Sequence, residues 1–143
     1  MNAPDKIQQD YIDAFASRGD TFDQFDYLLQ ISAQLDELDD DKKTDDVLMS
    51  GCQSQVWLYP EWQGGSVGSE FALKGDSDTL MVRGIIRIFQ DMFAGQDASS
   101  IIDCPIRFVE ETELMYIFDA KRQAGVSAIA KTIKDFARKA QAS

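Results

Sequence analysis

Gln55-Val56-Trp57-Leu58-Tyr59-Pro60-Glu61-Trp62-Gln63-Gly64-Gly65-Ser66-Val67-Gly68-Ser69-Glu70-Phe71-Ala72-Leu73 is the stretch on which the fold turns. Aromatic and branched side chains crowd its two ends. The Gly64-Gly65 pair between them supplies the backbone freedom of a tight turn, so the stretch reads as a hairpin of two short strands. Upstream, residues 46–49 are short and apolar and read as a third strand. The spacing predicts antiparallel strands near 46–49, 55–61 and 67–74.

Outward from the hairpin the period changes to that of helices. Before it, Phe22, Phe25, Leu28, Leu29, Ser32, Leu35 and Leu38 recur at three-and-four spacing and predict one helix with a single apolar stripe over 21–38. Gly19-Asp20-Thr21 opens that helix, with Gln24 placed to complete a capping box to Thr21. A shorter helix is expected around 7–15, and the charged run 39–45 reads as a loop or a solvated helix end. After the hairpin, Asp76-Ser77-Asp78 offers capping oxygens to a helix whose face is Leu80 or Met81, Ile85, Ile88, Phe89, Met92 and Phe93, ending at Gly95. Gly84 within it permits close approach of the strand layer. Asp97 caps a turn or two, Pro105 marks a break, and 106–118 fits neither period. From Gln123 the positions Val126, Ile129, Ala130, Ile133, Phe136, Ala137 and Ala140 form the seam of a terminal helix. Helix, three strands, then helices is an α+β pattern with helices packed on a small antiparallel sheet.

The chain has 143 residues, the size of one ordinary domain, and its 44% hydrophobic content with nine Phe, two Trp and four Tyr is enough to build a core. One domain over 1–143 is the expectation. With 25 acids against 14 Lys and Arg the formal net charge is -11, so a nucleic-acid backbone or an anionic membrane would be repelled. Residues 36–46 hold seven acids against Lys42 and Lys43, either a solubilising surface or a docking one. Neither a leader pattern nor 18 consecutive apolar residues occurs, which sets a cytoplasmic expectation.

Histidine is absent, which removes the usual general base and the commonest metal ligand. No phosphate-cradling glycine motif occurs either. What remains is thiol chemistry. Cys104 lies between Ile102 and Pro105 in an apolar stretch and reads as a buried structural cysteine. Cys52 follows Gly51 and precedes Gln53, Ser54 and Gln55, between two expected strands, where a loop tip can present a side chain. On this ground alone it is either structural or reactive. A reactive thiolate there would accept sulfur by the exchange chemistry disulfides use, steadied by loop amides, a helix dipole, or a cation such as Lys121 or Arg122.

The run Gly51-Cys52-Gln53-Ser54-Gln55-Val56-Trp57-Leu58 resembles the cysteine-loop motif of the SufE family of sulfur-acceptor proteins, which includes CsdE-type members. Phe71-Ala72-Leu73-Lys74-Gly75-Asp76-Ser77-Asp78, Met81-Val82-Arg83-Gly84-Ile85-Ile86 and Lys121-Arg122-Gln123-Ala124-Gly125 are similar to further family segments, in order, across about 20–140. Lys121 stands where the family usually has serine. The resemblance implies a small antiparallel sheet with several helices around it, in line with the three strands expected from the residue pattern. It also implies that Cys52 accepts sulfane sulfur from a pyridoxal-phosphate-dependent cysteine desulfurase of SufS or CsdA type. The carrier would stimulate that enzyme and deliver sulfur to an iron-sulfur scaffold such as SufBCD. Gly51, Gln53, Ser54, Asp76 and Arg122 would support the loop or touch the partner. Pyridoxal phosphate would belong to the partner, and this chain would hold no cofactor or metal. The rival readings are a standalone thiol oxidoreductase or peroxidase pairing Cys52 with Cys104, and a non-catalytic adaptor.

Overall fold

The computed structural model describes residues 1–49 and 54–142. Its sheet is an antiparallel pair, β1 (Val56–Trp62) and β2 (Phe71–Ser77), with Val56 opposite Ser77 and Trp62 opposite Phe71. The expected third strand is a single bridge, Leu48 to Trp57, among the described residues. The reason lies on both sides of that bridge: Val47 N–H and Leu48 N–H close turns onto Thr44 O and Asp45 O, and β1 offers a proline at its next outward position. Asp78 N–H donates to Gln55 O and Gln63 N–H to Glu70 O, so odd-numbered β1 residues turn their amides to β2 and even-numbered ones to the outer edge. On that edge Met49 N–H donates to Val56 O at 2.8 Å and Leu58 N–H to Val47 O at 3.2 Å. The next outward position is Pro60, which has no N–H to continue the ladder. The hairpin connection is also longer than the Gly64-Gly65 pair suggested: Gly64 N–H donates to Ser69 O, Gly68 and Glu70 both have positive φ, and β2 begins only at Phe71.

Among the described residues six α-helices surround this pair: α1 (Ala3–Ala16), α2 (Thr21–Ser32), α3 (Leu80–Phe93), α4 (Ala98–Asp103), α5 (Leu114–Ile117) and α6 (Ala120–Ala142). None is long and apolar enough to cross a membrane among the described residues. The α+β expectation holds, with two strands among the described residues instead of three. α2 stops at Ser32, short of Leu38, and is capped by Asp20, whose carboxylate accepts from Asp23 N–H at 2.8 Å. Gln24 makes no capping box; it is buried, and its Oε1 accepts from Glu113 N–H at 2.9 Å.

The core gathers Phe15, Leu28, Phe71, Ile85, Ile88, Phe89, Phe93, Phe108 and Ile133 from nearly every element. Trp62 stacks on Phe136 with centroids 5.3 Å apart, fastening β1 to α6. Gly84 serves α2, not the strands. A Cβ there would stand 2.7 Å from Leu28 Cδ1 and 2.9 Å from the Leu28 carbonyl oxygen. Gly84→Ala is therefore expected to destabilise by about 1–3 kcal/mol in urea unfolding, because overpacking outweighs the gain in helix propensity.

The aperiodic stretch after Pro105 is held by side chains from elsewhere. Gln8, fully buried, donates to Pro105 O and accepts from the amides of Arg107 and Phe108. Thr112 Oγ1 donates to Phe108 O and accepts from Leu114 N–H. Such bonds satisfy backbone groups that neither a helix nor a sheet could serve.

Candidate functional site

Gly51, Cys52 and Gln53 lie outside the described residues, and the site is built from what flanks them. On the N-terminal side Met49 is held by its bond to Val56 O. On the C-terminal side three side chains grip residues 54 and 55. Ser77 Oγ donates to Gln55 O at 2.7 Å, Gln55 N–H donates to Asp78 Oδ1 at 3.0 Å, and the Thr79 and Ser54 hydroxyls are bonded at 2.7 Å. Ser77, Asp78 and Thr79 thus anchor the chain at residues 54 and 55. The Asp76-Ser77-Asp78 run does not cap α3, whose N-cap Thr79 makes no side-chain capping bond.

Ser54 opens onto a small cavity of about 20 Å³, room for roughly one water-sized sphere. Val56, Val82, Ile85, Val126 and Ile129 make its walls apolar, and Lys121 and Arg122 bring the only two charges among its described lining residues. Arg122 sits in the first turn of α6, where Asp119 caps the helix by accepting from Arg122 N–H at 2.9 Å. Its Nε is buried and has no hydrogen-bond partner among the described residues. A desolvated guanidinium N–H without a partner, on a residue that lines an apolar cavity, favours an anion brought near it.

Asp76 is placed elsewhere. It is 1% exposed and does not line that cavity. Its carboxylate accepts from Arg83, from Leu38 N–H at 3.0 Å and from Ser77 N–H at 2.8 Å, with Lys43 Nζ at 3.6 Å. Arg83 in turn donates to Leu35 O at 2.8 Å. Burial alone would push this carboxyl up, but the two amides and the guanidinium together hold it below the usual carboxylate range. Asp76 therefore knots β2, α3 and the segment after α2, directly beneath the residues that grip Gln55. Arg83 and Thr79 were missed in the sequence. The trace left there was an acid inside an apolar strand, which needs a cation nearby.

Cys104 is fully buried at the end of α4. Burial pushes its thiol up to about 11, and the charge of Asp5 adds to the shift. In a Cys52→Ser background, iodoacetamide is expected to leave Cys104 unmodified in native buffer and to alkylate it in denaturant, as read by intact mass.

The sequence profile described as "SufE: Fe-S metabolism associated domain" matches residues 9–137. The chain belongs to the SufE family. As in that family, its association is with iron-sulfur metabolism. An "Uncharacterized SufE-like protein" of Rhizobium etli is 30% identical over 129 residues, covering 89% of this chain and 86% of that protein. Another of Rhizobium meliloti is 32% identical over 90 residues, 63% of this chain and 64% of that one. In three dimensions this SufE-family chain superposes on the solution structure of a hypothetical protein from Thermus thermophilus with a TM-score of 0.77 over the whole of both chains at 16% identity, a likeness of fold.

Proposed function

We propose that Cys52 is a sulfur acceptor: its thiolate takes sulfane sulfur from the persulfide of a cysteine desulfurase, stimulates that enzyme by clearing its product, and passes the sulfur on toward iron-sulfur cluster assembly. The supporting observation is the apolar cavity lined both by Ser54, two residues along the chain from Cys52, and by Arg122, whose buried Nε has no partner among the described residues. Membership of a family associated with iron-sulfur metabolism gives that cavity its context.

The thiolate attacks the outer sulfur of the donor persulfide, the donor S–S bond breaks, and the donor cysteine leaves as a thiolate. Cys52 then carries the S–SH group, with no net change in oxidation. The proton of the outer sulfur stays on it or is lost to solvent, and no histidine is required. Arg122 offers a positive partner to the thiolate before attack and to the perthiolate after it, while apolar walls keep water and reductants from the bound sulfur. Pyridoxal phosphate remains with the donor, and an iron-sulfur scaffold such as SufBCD is the fitting receiver.

A disulfide-forming oxidoreductase needs a second ionisable thiol. Cys104, buried with its pKa raised, is poorly suited to that role. The test is to mix the protein with a cysteine desulfurase, cysteine and pyridoxal phosphate and take the intact mass. The expected result is an adduct of about 32 Da that maps to Cys52; its absence overturns the reading.

A further inference from the structure

The helix stripe expected over 21–38 divides in the structure. Leu28 and Leu35 enter the core, but Phe22 is 78% exposed, and Phe25 and Leu29 are half-buried without joining the core packing. Phe22, Phe25 and Leu29 fall at i, i+3 and i+7 and so share one outward face of α2. Leu29 lines an open depression of about 440 Å³ together with Leu80, itself 61% exposed. The wall of that depression includes Ser77 and Asp78, the residues that grip Gln55 beside Cys52. Exposed apolar side chains thus run from the start of α2 to Leu80 at the foot of the cysteine loop, along a depression whose two cations among the described residues, Lys43 and Arg83, are both paired with Asp76. Exposed apolar groups so arranged mark an interaction surface more than scattered ones do.

The charges beside this apolar run say what it fits. Asp23 and Asp26 on α2 and Glu37 at the depression form no ion pair among the described residues. A second copy would set like charges against them in a chain of net charge -11. A partner with an apolar centre fringed by Lys or Arg would meet them with opposite sign.

We infer that the outward face of α2 with Leu80 is the surface on which the persulfide donor docks, through an apolar patch with a basic fringe. The inference rests on the sulfur-acceptor reading of Cys52 and adds where the donor sits. A donor seated there meets Ser77 and Asp78, the residues that hold Gln55, three positions along the chain from Cys52.

The test titrates wild type, Phe22→Asp and Leu80→Asp against a cysteine desulfurase, following sulfide release, with melting temperature as a check on folding. Both positions are mostly exposed, so folding should survive. The expected result is a rise of roughly tenfold or more in the concentration giving half-maximal stimulation, with the same plateau. Loading of Cys52 by inorganic polysulfide, which needs no docking, should match wild type. Wild-type loading with unchanged half-saturation in both variants overturns the docking face alone. If sedimentation shows a wild-type dimer that Leu80→Asp dissolves, a second copy occupies this face and the inference falls. If wild type takes sulfur neither from the enzyme nor from polysulfide, the acceptor reading fails and the docking face fails with it.

Discussion

Cys52→Ser is expected to abolish sulfur transfer outright while leaving the fold intact. A serine hydroxyl cannot attack a persulfide to form a stable S–S bond, so no adduct of about 32 Da should appear in any time course. Stimulation of the desulfurase should fall to the rate of that enzyme alone, because its persulfide then waits for a slow exogenous thiol. Binding of the variant to the desulfurase, measured by titration, should persist. Full stimulation by Cys52→Ser would instead make the chain an adaptor. Cys104→Ala is the matched control. It is expected to transfer sulfur like wild type and to lose only about 1–2 kcal/mol of stability from the small cavity left in the core.

Asp76→Ala is expected to produce the largest loss of stability. The Asp76 carboxylate and the Arg83 guanidinium are nearly buried, with side chains 2% and 14% exposed. Removing one partner of such a pair leaves the other charge desolvated and unpaired, which costs about 3–5 kcal/mol. It also frees the amides of Leu38 and Ser77. Urea unfolding near neutral pH measures the loss. Repeating it with Arg83→Met and the double variant separates the pair's coupling from the penalty of the orphaned charge.

The same carboxylate fixes an acid limb. Its folded pKa lies below its unfolded value of about 3.9, so the unfolded chain binds the proton more readily. Its contribution to stability is complete above that unfolded value and is lost as pH falls through the depressed folded pKa. Wild-type stability should therefore drop on acidification below about pH 4, and Asp76→Ala should drop less steeply over that window.

Periodic elements could be read from one dimension because burial of a face repeats with the backbone. The seam Val126, Ile129, Ala130, Ile133 and Ala137 is buried in α6, and the face of Ile85, Ile88, Phe89, Met92 and Phe93 is buried in α3. The hairpin was legible from its aromatic ends. Its register was not, since Val67 and Gly68 joined the turn and β2 began at Phe71. The third strand failed because Val47 turns its amide back to Thr44 and the next edge position of β1, Pro60, carries no hydrogen to donate. Residues 106–113 showed no period because their backbone bonds go to Gln8, Gln24 and Thr112, the first two of them distant in the chain. Nothing local could reveal that.

By itself the sequence determined the α+β class, the buried place of Cys104 and a family resemblance centred on Cys52, because these depend on residue type and spacing. Only the tertiary structure decided that Asp76 pairs with Arg83, that Arg122 lines an apolar cavity with Ser54, and that part of the α2 stripe points outward. Those outcomes depend on which surfaces meet once the helices pack, and a desolvated charge or an uncovered phenylalanine exists only relative to its neighbours.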